Sequence, residues 1–199
     1  METVDILAST LAGLVQIAPK QDGRKYLCGV RFDTAGYAVA TDASMLLAAR
    51  IPPFVGASFT VPRESIITLL KGIPRKARME TVVHVMCGAS SVDGGIRVQY
   101  APLDDHYPNW RHVVPTGPAA DGAAPDVYDS ARVEGLREAL ADMLGVAEIP
   151  ALMITQTHRA GIVRTPSSIL ALLMPLRDMP PATEDAIRQA RQFLGEVPA

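Results

Sequence analysis

The sequence predicts an α+β protein built from repeated units, each with one helix followed by about three strands. Three helical patterns start near residues 3, 62 and 129, and short apolar segments separated by turn residues follow each of them. The 199 residues are 48% hydrophobic, which is enough to form a buried core. We therefore expect two units to form one compact domain, with antiparallel sheets outside and helices on one side.

The first unit opens with apolar residues at helical spacing. They are Val4, Leu7, Leu11, Leu14, Val15 and Ala18. Thr3 or Asp5 can cap this predicted helix, and Pro19 ends it. Strands are predicted at 25–32, 37–41 and 45–51, with Gly36 supplying a positive φ in the turn between the first two.

The second unit starts with a strand-like segment at 58–61, and Pro62 then marks the start of a helix. Apolar residues again lie on one face of that helix. They are Ile66, Ile67, Leu70 and Ile73. Strands are predicted at 81–87, 95–100 and 110–114, with a turn at 90–94.

A segment rich in Gly, Pro and Ala, residues 116–126, then predicts a linker. The third helix is predicted to be capped by Ser130 and closed by Gly145. Its apolar residues are Val133, Leu136, Leu140, Met143 and Leu144. The strands predicted after it lie at 151–156, 160–164 and 168–174.

These patterns divide the chain into a complete two-unit domain at 1–115, the linker at 116–126 and a half domain at 127–178. The remaining residues, 179–199, are predicted to form a tail helix capped by Thr183.

Composition excludes several classes of protein. A net charge of −2 argues against a wholly basic nucleic-acid binder, although a local basic patch remains compatible with it. The sequence has no apolar stretch of about 20 residues and no basic region before an apolar N-terminal run, so we expect no membrane partner and a cytoplasmic location. Cys28 and Cys87 lack metal-site spacing and are expected to be buried, reduced thiols.

An enzyme is not favoured, and no cofactor is expected. Asp104, Asp105 and His106 are adjacent in an extended segment, and no second cluster of ligands completes a metal site. The sequence has no phosphate-binding loop, dinucleotide fingerprint or nucleophile elbow. Tyr107 and Trp110 are expected to pack in the core, with base stacking as the alternative.

Three motifs resemble the sliding clamp family, the β subunit of bacterial DNA polymerase III. The segment RKYLCGVRFDTAGYAVATDASML at 24–46 and the segment HYPNWRHVVP at 106–115 are similar to the middle domain of that family and its exit. The segment LLMPLR at 172–177 is similar to its hallmark terminus, with Leu176 replacing a methionine. The resemblance implies a DNA-clamp fold that lacks the family's first domain and the first half of its last domain.

The resemblance also implies a peptide pocket for leucine and phenylalanine anchors of DNA polymerase and other replication or repair proteins. Matching positions give its expected residues. They are Tyr26, Leu27, Thr41, Leu46, Pro115, Leu172, Leu173, Met174 and Pro175. Ala43-Ser44-Met45 departs from the Gly-His-Arg usual in the family. In the tail, QARQFL at 189–194 faintly resembles a clamp-binding peptide, with an ordinary surface helix as the alternative.

A sliding clamp is expected to contact duplex DNA through its phosphates, without reading bases. The candidate cations are Arg24, Lys25, Lys71, Arg75, Lys76 and Arg78. The resulting hypothesis is a non-catalytic processivity factor, functioning as a homo-oligomer if it encircles DNA. The alternative is a clamp-fold adaptor or decoy that binds the same peptides without encircling DNA, and an unrelated hydrolase is a more distant third.

Overall fold

The computed structural model describes residues 3–103, 106–117, 127–157 and 160–176. These residues form three α-helices and eleven strands. The helices are α1 (Ala8–Ile17), α2 (Arg63–Lys71) and α3 (Ser130–Leu144). The strands are β1 (Val4–Leu7), β2 (Gly29–Asp33), β3 (Tyr37–Thr41), β4 (Met45–Arg50), β5 (Phe59–Pro62), β6 (Val82–Met86), β7 (Ala89–Ser91), β8 (Arg97–Gln99), β9 (Ile154–Thr155), β10 (Gly161–Val163) and β11 (Ile169–Leu173).

The strands form two antiparallel sheets. The smaller sheet has the order β1-β6-β7-β8, and the larger one has the order β5-β2-β3-β4-β11-β10-β9. The first two units exchange their leading strands, because β1 pairs with β6 and β5 pairs with β2. β11 pairs with β4 along five residues, from Ile169↔Ala49 to Leu173↔Met45. This pairing joins the last strand to the first unit and thereby positions the candidate site.

The helices pack against one face of the sheets and against each other. Nearly all of α1 is buried, because it packs against α2 and α3 as well as against β3 and β4. Gly13 of α1 lies so close to α3 that a Cβ there would overlap the carbonyl oxygen of Ala139 and lie 2.9 Å from the Cβ of Met143. The predicted α+β class, with helices on one side of antiparallel sheets, is confirmed.

Two predicted elements of the first unit are corrected. Val4–Leu7 is a strand rather than the first turn of a helix, and α1 starts only at Ala8, without a side-chain cap from Thr3 or Asp5. Val4 and Ile6 are buried while Asp5 and Leu7 are exposed, which is the alternation that pairing with β6 requires. Lys25–Leu27 forms a 3₁₀ turn, so the predicted strand 25–32 begins only at Gly29.

Later elements also differ from prediction. Residues 110–114 were expected to form a strand, but Trp110–Val113 is a 3₁₀ helix in which the Asn109 side chain accepts a hydrogen bond from the Arg111 N–H. Ala89–Ser91 is a strand, which moves the predicted turn at 90–94 past Ser91. The three strands of the third unit are found but are shorter than predicted, β9 having only two residues.

The expected turn and cap glycines are confirmed. Gly36 has a φ of 89° between β2 and β3, and Gly145 closes α3 with a φ of 67°. The N-cap of α3 is Asp129 rather than Ser130, because the Asp129 carboxylate accepts hydrogen bonds from the N–H groups of Ala131 and Arg132.

Some predictions fall on residues outside the described ranges. These are most of the linker, the tail at 179–199, Asp104 and Asp105. The domain bounds therefore stay a prediction. Cys28 and Cys87 are free thiols, half-buried rather than fully buried. No helix among the described residues is long and apolar enough to cross a bilayer.

Candidate functional site

The outer face of the larger sheet, opposite the helices, carries a hydrophobic cluster of its own. Its buried members are Val39, Leu46, Ala48, Trp110, Ala160 and Leu172. Alternate residues of β3, β4 and β11 point to this face, as the period of a strand requires. Tyr107, Trp110 and Val114 from the exit segment (residues 106–117) pack over the cluster. Tyr107 and Trp110 therefore pack in a core, as expected.

A cavity of about 210 Å³ opens at one end of this cluster, and we call it the cleft. It is lined by Arg24, Tyr26, Leu27, Thr41, Ala43, Leu46, Pro108, Asn109, Trp110, Val113 and Met174. The 3₁₀ turn before β2 forms one wall, and Met174, just after β11, comes from the third unit. Leu27 and Leu46 are at most 2% exposed and give the cleft a buried apolar lining, and Met174 adds a flexible side chain to it.

The cleft brings together five of the nine residues predicted for the peptide pocket. They are Tyr26, Leu27, Thr41, Leu46 and Met174. Leu172 is fully buried in the cluster next to the cleft, whereas Leu173 points to the opposite face and belongs to the main core. Pro115 and Pro175 do not line the cleft.

The turn between β3 and β4 shapes the rim of the cleft. Asp42 Oδ1 accepts hydrogen bonds from the N–H groups of Ser44 at 2.7 Å and Met45 at 2.6 Å, and Ala43 adopts a φ of 74°. Thr41 Oγ1 accepts from Ala43 N and donates to the Met45 carbonyl. Met174 N donates to the Ser44 carbonyl at 2.8 Å, which ties the turn to the third unit.

The predicted strands at 37–41 and 45–51 leave a connection at 42–44, but its side-chain hydrogen bonds were not predicted, although Thr-Asp-Ala-Ser is typical of side-chain-stabilised turns. Sequence reasoning missed the part of the exit segment that lines the cleft, namely Pro108, Asn109, Trp110 and Val113. The expected strand at 110–114 would have placed the side chains of Trp110 and Val113 differently from the observed 3₁₀ helix.

Arg111 holds the exit segment against the sheet. Its Nη1 lies 2.7 Å from Asp33 Oδ2, and its guanidinium stacks 4.6 Å from the Trp110 ring centroid and 5.2 Å from that of Tyr37. Partial burial raises the pKa of Asp33, but the hydrogen bonds from Arg111 and the Ala35 N–H outweigh it and leave that pKa below its ordinary value. Tyr107 anchors the same segment by donating to the Val39 carbonyl at 3.3 Å, and burial raises the pKa of its hydroxyl.

The six cations predicted to contact DNA lie in two places. Arg24 lines the cleft, where it pairs with Asp22 at 2.8 Å, and Lys25 follows it in the same turn. The other four are Lys71, Arg75, Lys76 and Arg78, and they surround the end of α2 and the 3₁₀ turn that follows it.

Two of these four cations on the helical side have partners within the protein. Arg75 pairs with Asp142 of α3 at 2.6 Å, and Arg78 donates to the carbonyls of Leu70 and Ile73. Lys71 and Lys76 are exposed, and neither side chain has a partner among the described residues. Of these four cations, the two lysines are therefore the ones whose charge is not used within the described part of the protein.

A catalytic metal centre finds no support in the part of the chain that the structure describes. No three His, Cys, Asp or Glu side chains gather there in a geometry that could hold a metal ion. His84 instead bridges Asp5 at 2.7 Å and Asp93 at 3.3 Å across the smaller sheet.

Comparison with solved structures identifies the architecture. The DNA polymerase III subunit beta from Pseudomonas aeruginosa matches with a TM-score of 0.58 and 15% identity over 89% of this chain and 67% of that chain. The DNA polymerase sliding clamp from Bacillus subtilis matches with a TM-score of 0.60 and 15% identity over 89% of this chain and 65% of that one. The protein has the fold of a DNA polymerase sliding clamp.

The clamp fold recurs in a peptide-bound structure. The Helicobacter pylori beta clamp bound to a DNA ligase peptide has a TM-score of 0.56 and 11% identity, over 88% of this chain and 66% of that chain. This chain thus spans about two thirds of the length of these clamps. No protein-family model matches the sequence, and no curated protein does. At these identities the similarity establishes the fold alone.

Proposed function

We propose that this protein is a non-catalytic, clamp-like tether that binds short peptides of DNA polymerase or repair proteins in the cleft and contacts duplex DNA through phosphates. The observation that carries the proposal is the cleft itself. Its walls come from Leu27 and Met174, which are far apart in sequence and meet around an apolar space. Such a groove suits a short motif with leucine and phenylalanine anchors.

Two further observations support the peptide part. The cleft has a mainly apolar lining that also includes the polar residues Thr41, Asn109 and Arg24, which is the usual composition of a site for a small apolar anchor. A clamp of the same fold, from Helicobacter pylori, has been solved with a DNA ligase peptide. Tethering would raise the local concentration of a partner on DNA without any chemistry.

The peptide part is tested with the only tryptophan of the chain, Trp110, which lines the cleft. A short peptide with leucine and phenylalanine anchors should change its emission in a saturable titration. Leu27→Asp and Met174→Asp should abolish that change, because each places a charge in an apolar wall. Met153→Asp is the matched control, since Met153 is 62% exposed and lies outside the cleft. No saturable binding by the wild-type protein would overturn the proposal.

The DNA part is tested by retention on circular and linearised DNA. If the protein encircles duplex DNA, it is retained on a closed circle and lost when the circle is cut, and Lys71→Glu with Lys76→Glu weakens retention. Light scattering on the same sample gives the oligomeric state that a ring would need.

The adaptor or decoy is the second candidate, and one observation favours it. Arg75 and Arg78, two of the four predicted cations on the helical side, are already paired with Asp142 and with backbone carbonyls, which leaves less free positive charge for DNA. A monomer that binds the peptide but is not retained on circular DNA would support this candidate over the tether.

A further inference from the structure

A second cavity, of about 530 Å³, lies on the same outer face on the other side of Trp110, and we call it the outer groove. The lining residues that matter here are Tyr37, Ala48, Arg50, Trp110 and Leu170. Trp110 lines both the outer groove and the cleft, so its ring separates the two spaces.

The register of the sheet places the two spaces along one face, on either side of Trp110. Along β4, Leu46 lines the cleft and Ala48 and Arg50 line the outer groove, and these alternate positions share one face. Along β11 and its end, Leu170 lines the outer groove and Met174 lines the cleft. Four residues of strand separate these two, a distance of roughly 13 Å. An extended peptide of four or five residues would span that distance.

The lining of the outer groove specifies the chemistry of an occupant. Ala48 and Leu170 contribute an apolar floor, with the Trp110 ring at its side. Among the described residues, the charged members of the lining are Arg50 and Arg111, both positive. Arg111 is already held by Asp33, whereas the exposed Arg50 side chain has no ion-pair or hydrogen-bond partner among the described residues. An apolar side chain next to a carboxylate complements this arrangement.

We propose that the outer groove binds a second segment of the partner peptide, with an aliphatic or aromatic side chain on its floor and an Asp or Glu at Arg50, four to five residues from the anchor in the cleft. This inference rests on the proposed function, since the cleft must hold the first anchor. It adds a second requirement for the partner peptide, namely an extension beyond the short motif that carries one apolar and one acidic residue.

The test compares three peptides by fluorescence anisotropy. One carries only the leucine and phenylalanine anchors, and the other two extend it by four residues ending in Leu-Glu, at the N-terminus or at the C-terminus. The extension whose direction matches the groove should bind about tenfold more tightly than the short peptide, because one apolar side chain becomes buried and one carboxylate becomes paired.

Variants separate the groove from the cleft. Arg50→Glu should weaken the binding of the extended peptide about fivefold and leave the affinity of the short peptide unchanged. Arg97→Glu is the matched control, because Arg97 is exposed on β8 of the other sheet. A peptide whose extension ends in Leu-Gln should still bind more tightly than the short peptide, because its leucine is still buried. Its affinity should be the same in the wild-type protein and in Arg50→Glu.

Each outcome decides the inference. If the short peptide binds and is lost in Met174→Asp, but neither extension binds more tightly, the outer groove is not a peptide subsite and the proposed function stands. If an extension helps equally in the wild-type protein and in Arg50→Glu, the acidic part of the inference is wrong. If the short peptide itself does not bind, both the proposed function and this inference fail.

Discussion

Replacing Gly13 by alanine tests how the third unit docks. Gly13 lies where α1 meets α3, and an alanine Cβ there would overlap the Ala139 carbonyl oxygen and crowd the Cβ of Met143. The Ala139 carbonyl oxygen belongs to the helix backbone and cannot rotate out of the way as a side chain can, so α1 and α3 must move apart. Overpacking of this kind destabilises by about 1–3 kcal/mol, and the better helix propensity of alanine offsets up to about 1 kcal/mol of that. We expect a net loss of about 1–2 kcal/mol.

Gly135→Ala is the matched control, because Gly135 lies within α3 and a Cβ there would meet nothing within 4 Å. This variant should gain about 0.5–1 kcal/mol from helix propensity alone. The assay is the urea midpoint of each variant, together with amide exchange of α3, which should accelerate in Gly13→Ala. A Gly13→Ala protein as stable as the wild type, or shifted in the same direction as Gly135→Ala, would refute the described contact between α1 and α3.

Two further predictions concern the two sheets. Leu172→Ala should reduce the free energy of unfolding by about 3–5 kcal/mol because Leu172 is fully buried beside the cleft, whereas Leu176→Ala, at a 38% exposed position, should change it little; equal urea midpoints would contradict this. The Asp5 carboxylate raises the pKa of His84 above its ordinary 6.5, so the pairing of β1 with β6 gains stability that is fully present below pH 6.5 and is lost as pH rises through the folded-state pKa. The urea midpoint of the wild-type protein should therefore fall between about pH 5.5 and pH 8, and that of His84→Gln should fall less. An equal fall in both proteins would show that this pair has no such role.

Most of the fold could be predicted because local patterns agree with it. The apolar spacing of α2 and α3, the turn at Gly36 and the cap at Gly145 depend on residues close together in the chain. The errors arise where distant contacts outweigh local preference. Val4–Leu7 continues the apolar period of α1, yet it becomes a strand because β6 offers hydrogen bonds to its edge.

The candidate site was predictable only in part for the same reason. Tyr26, Leu27, Thr41, Leu46 and Met174 were predicted from motifs, and they line one cleft. The contribution of Trp110 and Val113 depends on how the exit segment crosses the sheet. That path is set by the Arg111 contacts with Asp33 and Tyr37, residues more than 70 positions away, and no local pattern encodes it.

The sequence by itself determined the α+β class and the order of the three helices, because these depend on side-chain period and on neighbouring residues, whereas the motifs of the two walls were predicted from their resemblance to the clamp family. Only the tertiary structure decided that β11 pairs with β4 and that Leu173 faces the core while Met174 reaches the cleft. The physical reason is that strand pairing and helix contacts are chosen by the total area that distant segments bury together, which no single segment contains.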